Sequence, residues 1–179
     1  MALRLCHPTT YLFKFLHTLM IQLKNILLAS HGTDGACAAE KMAFEFCSDG
    51  AALNHLVVVP TLWKGMTGDD WLNNGSTRNT FRNYLEGELE EDVRVHLQRM
   101  IEVTDELGIS YRHDVVVGEP DECLLQSSRE RDCSLVIIGS PRPKGKSGLR
   151  SRMRLEPLVR GLSIPLMIAP YPGTPTIQR

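Results

Sequence analysis

Two glycine-bearing loops hold the residue types from which an anion site can be made. The first is Ser30-His31-Gly32-Thr33-Asp34-Gly35. Its glycines let backbone N–H groups approach a ligand closely. It opens a helix, and a helix N-terminus favours negative charge. The second runs from Gly139 through Ser140, Pro141, Arg142, Pro143, Lys144, Gly145, Lys146, Ser147 and Gly148, and on to Arg150, Arg152 and Arg154. The basic side chains Arg142, Lys144, Lys146, Arg150, Arg152 and Arg154 crowd this stretch with few acids nearby. Ser147 or Ser151 is placed to cap the next helix. Charge, glycine backbone and a helix start together make a phosphate cradle. Each loop also has a plain structural reading: a tight β-to-α turn for the first, a solvated basic loop for the second.

Other chemistries fail on spacing. Gly145-Lys146-Ser147 resembles the end of a P-loop, but that motif needs glycine at 140, which is serine. No HxxxH, GxSxG or paired-carboxylate signature appears, so no nucleophile–base set is read and the chain is read as non-enzymatic. Glu86, Glu88, Glu90, Glu91 and Asp92 are read as a solvated helix face rather than a metal site. Cys6, Cys37, Cys47, Cys123 and Cys133 form no CxxC or CxxH pair, which excludes zinc and thioredoxin-type motifs. Scattered free thiols suit a reducing cytosol, so the expected location is cytoplasmic.

The elements that must position these loops follow from hydrophobic patterning. Apolar runs within 23–30, 52–60, 111–117, 134–138 and 165–169 predict five strands, most buried on both faces. Helices are predicted over 36–47, 80–107, 121–131 and about 151–161. The longest carries Phe81, Leu85, Leu89, Val93, Leu97, Met100, Thr104 and Leu107 at three- and four-residue steps, with Gly108 as its stop. Residues 61–79, with Trp63 and Trp71, are predicted irregular, and a segment of that length is expected to be mobile or to close over a site. Strands alternating with helices predict a parallel sheet covered on both faces, with ligands bound where strand order reverses. Hence the loops after the first and fourth strands are the places for a site.

The chain has 179 residues, 42% hydrophobic and 23% charged, with net charge −1. That fits one soluble domain and favours neither nucleic acid nor membrane in bulk. The basic loop lacks interleaved aromatics, which argues against a nucleic-acid surface. The apolar run from Tyr11 to Met20 contains Lys14 and His17 and is too short to span a bilayer. Residues 1–19 are read as an extension outside the fold, with Met20 as an alternative start. The domain covers 20–170, and 171–179 is a loose tail.

Several stretches resemble the universal stress protein family. Asn25 to Thr33 is similar to that family's opening strand, I-L-V-A-V-D-G-S. Val116 to Pro120 resembles its third strand and G-x-P turn, Cys133 to Ser140 its D-L-I-V-M-G-S strand, and Ile164 to Ile168 its closing strand. The resemblance covers about 22–170. It implies an open five-stranded parallel α/β sheet, Rossmann-like and of the adenine-nucleotide alpha-hydrolase type. It implies a homodimer through the last strand, at Leu166, Met167 and Ile168. In ATP-binding members a G-x2-G-x9-G-[ST] motif follows the fourth strand. Gly139 matches its first glycine, the second falls on Arg142, and the third and its Ser/Thr fall on Arg152 and Met153. The family's acid after strand one is replaced by Ser30 or His31.

The resemblance therefore implies a dimeric stress-response protein with a degenerate nucleotide cleft. Its candidate contacts are Ser30, His31, Gly32, Thr33, Val58, Ile138, Gly139, Arg142, Gly145, Lys146, Gly148 and Arg152. The ligand would be ATP with Mg, another adenine nucleotide or phosphate. The alternatives are an ATP-binding member with slow hydrolysis, and a PP-loop-type enzyme, since Ser30-x-Gly32-x-Asp34 is similar to part of the S-G-G-x-D-S loop.

Overall fold

The computed structural model describes residues 23–59, 75–145 and 153–173, with side chains of the helix beginning at 75 described from Glu90 onward. The elements are β1 (Asn25–Ala29), α1 (Asp34–Cys47), β2 (Ala52–Val59), α2 (Gly75–Glu106), β3 (Tyr111–Val117), α3 (Pro120–Glu130), β4 (Leu135–Gly139), α4 (Leu155–Gly161) and β5 (Leu166–Ala169). The sheet order is β3-β2-β1-β4-β5, and every pairing is parallel. The chain winds from β1 out to β3, then returns to lay β4 on the free side of β1. Strand order thus reverses between β1 and β4, as the alternating pattern predicts.

The apolar runs become strands because both sheet faces are covered. Ile26, Leu27 and Leu28 alternate between faces, yet all three are buried. On one face Ile26, Leu28, Leu53, Leu135 and Ile137 pack with Ala39, Ala43 and Cys47 of α1 and Met100 of α2. On the other, Leu27, Leu56, Val136 and Ile138 pack with Leu124 of α3 and Leu158 of α4. Each such side chain contributes about 1.5–3 kcal/mol by leaving water. Among the described residues no helix is long and apolar enough to cross a membrane.

Some boundaries depart from the pattern. Helix α2 begins at Gly75, so 75–79 is helical rather than irregular. Residues 60–74, with Trp63 and Trp71, lie outside the described residues, as do 1–22. Leu107, expected on the apolar stripe, is exposed. The helix has ended at Glu106, and Gly108 at φ +66° turns the chain off that face. The buried stripe of α2 includes His96, Met100 and Thr104. Helix α4 starts at Leu155 rather than 151, because Arg154 is extended at φ −93°, ψ 119°. Its guanidinium reaches the buried Asp121 of α3 through Nε (3.1 Å) and Nη2 (2.8 Å). Within the segment expected as a loose tail, Tyr171 is tied down, as described below.

Candidate functional site

Ser30, the residue after β1, is the meeting point of a buried polar network. It is 2% exposed and its hydroxyl donates to Glu40 Oε1. Glu40 projects from the buried stripe of α1, formed by Ala36, Ala39, Ala43 and Cys47, and is itself 1% exposed. Arg99 Nη2 of α2 donates to its other oxygen. A buried carboxylate is tolerated only when paired and hydrogen-bonded in this way.

Two imidazoles complete the network. His96 Nδ1 lies 3.3 Å from Arg99 Nη2, which can only donate, so Nδ1 accepts. The ring proton of neutral His96 then sits on Nε2, 3.5 Å from Ser30 Oγ and 3.7 Å from Glu40 Oε1. His55 of β2 faces His96 edge-on, with centroids 5.2 Å apart. Its Nε2 is 3.2 Å from the Ser30 carbonyl, an acceptor, so Nε2 donates. Its Nδ1 then accepts from the Tyr111 hydroxyl of β3 at 2.7 Å. Burial lowers the His55 pKa to about 4, against the opposing pull of the Ser30 carbonyl. Burial likewise lowers that of His96, opposed by Glu40 and aided by Arg99 and His31. Burial raises the Tyr111 phenol. Burial works against the Arg99 charge, but its bond to Glu40 prevails and raises its pKa. The network is thus neutral at both histidines and ionic at Glu40–Arg99.

The loops after β1 and β4 flank the strand-order reversal, the place where such sheets bind ligands. On the β1 side, His31 and Gly32 are exposed and Thr33 is the N-cap of α1. Gly32 has φ +78°, and a Cβ there would come within 3.3 Å of His96 Nδ1, so the turn and the close approach both call for glycine. Thr33 makes no side-chain cap to α1, which leaves first-turn N–H groups uncapped by a side chain. On the β4 side, a Cβ on Gly139 would overlap the Gly35 carbonyl and stand 2.8 Å from the Ala36 nitrogen. Gly139 is therefore a packing glycine that seats α1 on the end of β4. Beyond it, Ser140 Oγ and Arg142 Nε are buried atoms with no hydrogen-bond partner among the described residues. Gly145 turns at φ +88°.

His31, Gly32 and Thr33 thus stand in the loop after β1, and Gly139 and Arg142 at and just beyond the end of β4. Ser30 lies beneath, its hydroxyl committed to Glu40. Val58 and Ile138 pack against the α3–α4 layer, Ile138 buried and Val58 in part. Lys146, Gly148 and Arg152 lie outside the described residues. Sequence reasoning missed Glu40, His55, His96 and Arg99. The one signal was Glu40, a carboxylate among small residues on an otherwise apolar helix stripe. Among the described residues no group of three His, Cys, Asp or Glu is placed to hold a metal ion.

A family model described as the universal stress protein family matches residues 22–170. No curated protein matches the chain. A universal stress protein family structure from Burkholderia pseudomallei is similar at 21% identity, covering 82% of this chain and 95% of its own, with TM-score 0.59. Universal stress protein UspA from Lactobacillus plantarum is similar at 16% identity, covering 82% and 97%, with TM-score 0.58. A universal stress protein family protein from Arabidopsis thaliana, with AMP bound, is similar at 14% identity, covering 86% and 97%, with TM-score 0.54. At these identities the structural likeness speaks to the fold, and the fold is the doubly wound sheet described above. With the family model spanning nearly all of that sheet, the chain belongs to the universal stress protein family.

Proposed function

We propose that this universal stress protein is a non-enzymatic regulatory protein whose crevice binds an adenine nucleotide by its phosphate. The observation that carries the reading is a pair of buried atoms, Ser140 Oγ and Arg142 Nε, with no partner among the described residues, at the carboxyl end of β4 beside the strand-order reversal. Buried polar atoms without partners are costly, and an anion at this place relieves both. Arg142 stands where a motif glycine would offer only a backbone N–H, so charge replaces backbone in gripping phosphate. His31 and Thr33 stand in the loop after β1. A bound nucleotide supplies the anionic group, and this chain's residues hold and orient it. AMP in the Arabidopsis thaliana relative supports an adenine nucleotide as the class. Mg·ATP is the second ligand to try.

The unit of function in this reading is a homodimer. β5 is an edge of the sheet, with Ile168 exposed and Leu166 and Met167 half-buried. An open apolar edge invites pairing, and a second copy covers it. The free thiols Cys37, Cys47, Cys123 and Cys133 support a cytoplasmic setting.

Calorimetric titration with AMP, Mg·ATP and inorganic phosphate tests the reading, with light scattering for the dimer. We expect AMP to bind and Arg142→Ala to weaken it about tenfold or more, the effect of losing a charged hydrogen bond. Absence of binding by all three ligands refutes it.

A further inference from the structure

We propose that the segment after β5 is a strap across the crevice, caught by Tyr171 on Asp34, which restrains entry of the anionic ligand. This rests on the nucleotide reading of the crevice and adds its regulation.

β5 ends at Ala169, and two residues further on the chain reaches the first turn of α1. The Tyr171 hydroxyl donates to Asp34 Oδ2 at 2.9 Å, joining the segment after the last strand to the helix after the first. A Cβ placed on Gly35 would lie 3.5 Å from Tyr171 Cδ2 and 2.6 Å from the Ser140 carbonyl oxygen. Gly35 is therefore held between the Tyr171 ring and the first residue beyond β4. The phenol also lies within electrostatic reach of Arg142. One tyrosine thus touches or senses α1 and the loop after β4, the two elements that frame the crevice.

The chemistry of the catch sets its sign. Asp34 sits in the first turn of α1 and supplies negative charge where N–H groups point outward. Tyr171 fixes that carboxylate in place and lays its ring over Gly35. A phosphate approaching Ser140 and Arg142 meets the carboxylate's charge and the ring's bulk together. The closed strap holds both in the path of an anion; opening withdraws the ring and frees the carboxylate to swing aside. A single hydrogen bond at the surface is worth roughly a fivefold change in an equilibrium, enough to bias the crevice yet small enough for a ligand to overcome.

The test uses the full chain and AMP. Tyr171→Phe removes the catch, Tyr171→Ala also removes the ring, and Asp34→Asn removes the charge. Tyr171 lies outside both core clusters, so its variants are expected to fold. We expect AMP to bind about fivefold tighter to Tyr171→Phe and at least as much tighter to the other two. Hydrogen exchange in a peptide spanning 31–37 is expected to quicken in both Tyr171 variants. Equal or weaker AMP binding in these variants overturns the strap. Should no form bind AMP, the nucleotide reading fails, and exchange decides the strap alone: rates unchanged by Tyr171→Ala would overturn it.

Discussion

Acidification from pH 7.5 to 5 is expected to cost this protein about 2 kcal/mol of stability through His55 alone. The ring is 1% exposed, with Nε2 donating to the Ser30 carbonyl and Nδ1 accepting from Tyr111. Protonating Nδ1 would place a second cation near Arg99 and turn the Tyr111 bond around. Burial accordingly sets the folded pKa at about 4, against about 6.5 in an unfolded chain. Between those values the unfolded chain binds the proton and the folded chain refuses it. Stability is therefore full above about pH 6.5 and declines as pH falls toward 4. Integrating over that window gives about 2 kcal/mol by pH 5 and about 3 kcal/mol in full. His96, shifted in the same direction, steepens the loss. The assay is urea unfolding of parent and His55→Gln at pH 7.5, 6.5, 5.5 and 5. Carboxylate contributions are shared, so the difference between the two proteins isolates the imidazole. A difference that stays constant across this range, or a His55 ring that titrates near 6.5 by NMR, refutes the reasoning.

The other expectations concern packing and charge. Arg99→Met strands Glu40 as an unpaired buried carboxylate and should cost about 3 kcal/mol at neutral pH, with Glu40→Leu added to it restoring much of the loss; urea midpoints of the single and double variants decide. Gly139→Ala drives a methyl into the Gly35 carbonyl, which cannot yield without moving α1; about 2 kcal/mol should be lost, and an unchanged melting temperature would contradict the close packing.

The fold was legible because a parallel sheet writes itself as apolar runs. Ile26-Leu27-Leu28 and Val136-Ile137-Ile138 need no alternation, since helices cover both faces. The strand-order reversal between β1 and β4 followed from the alternating pattern, with a glycine-bearing loop after each of those strands. Element ends were less legible where a distant partner decides them. Arg154 is held extended by Asp121, and Leu107 is turned away by Gly108. The buried network was illegible for the same reason on a larger scale. Ser30, Glu40, His55, His96, Arg99 and Tyr111 come from four elements and the loop after β1, and no local spacing announces their meeting. Tyr171, in a proline-bearing tail, gave no sign that its hydroxyl reaches Asp34. Periodicity reports which way a residue faces, and it is silent on which remote polar group waits there.

The contact of Gly35 with Gly139 has a mechanical consequence. Backbone meets backbone there, with no side chain to compress, rotate or repack. Helix α1 and strand β4 must therefore move as one unit. A displacement of α1 is passed to the end of β4 and on to Ser140, whose N–H is tied to the Ala169 carbonyl of β5 at 2.9 Å. The coupling runs through backbone alone, from helix to strand to neighbouring strand. Side-chain substitutions elsewhere on α1 leave that linkage intact, because no side chain takes part in it.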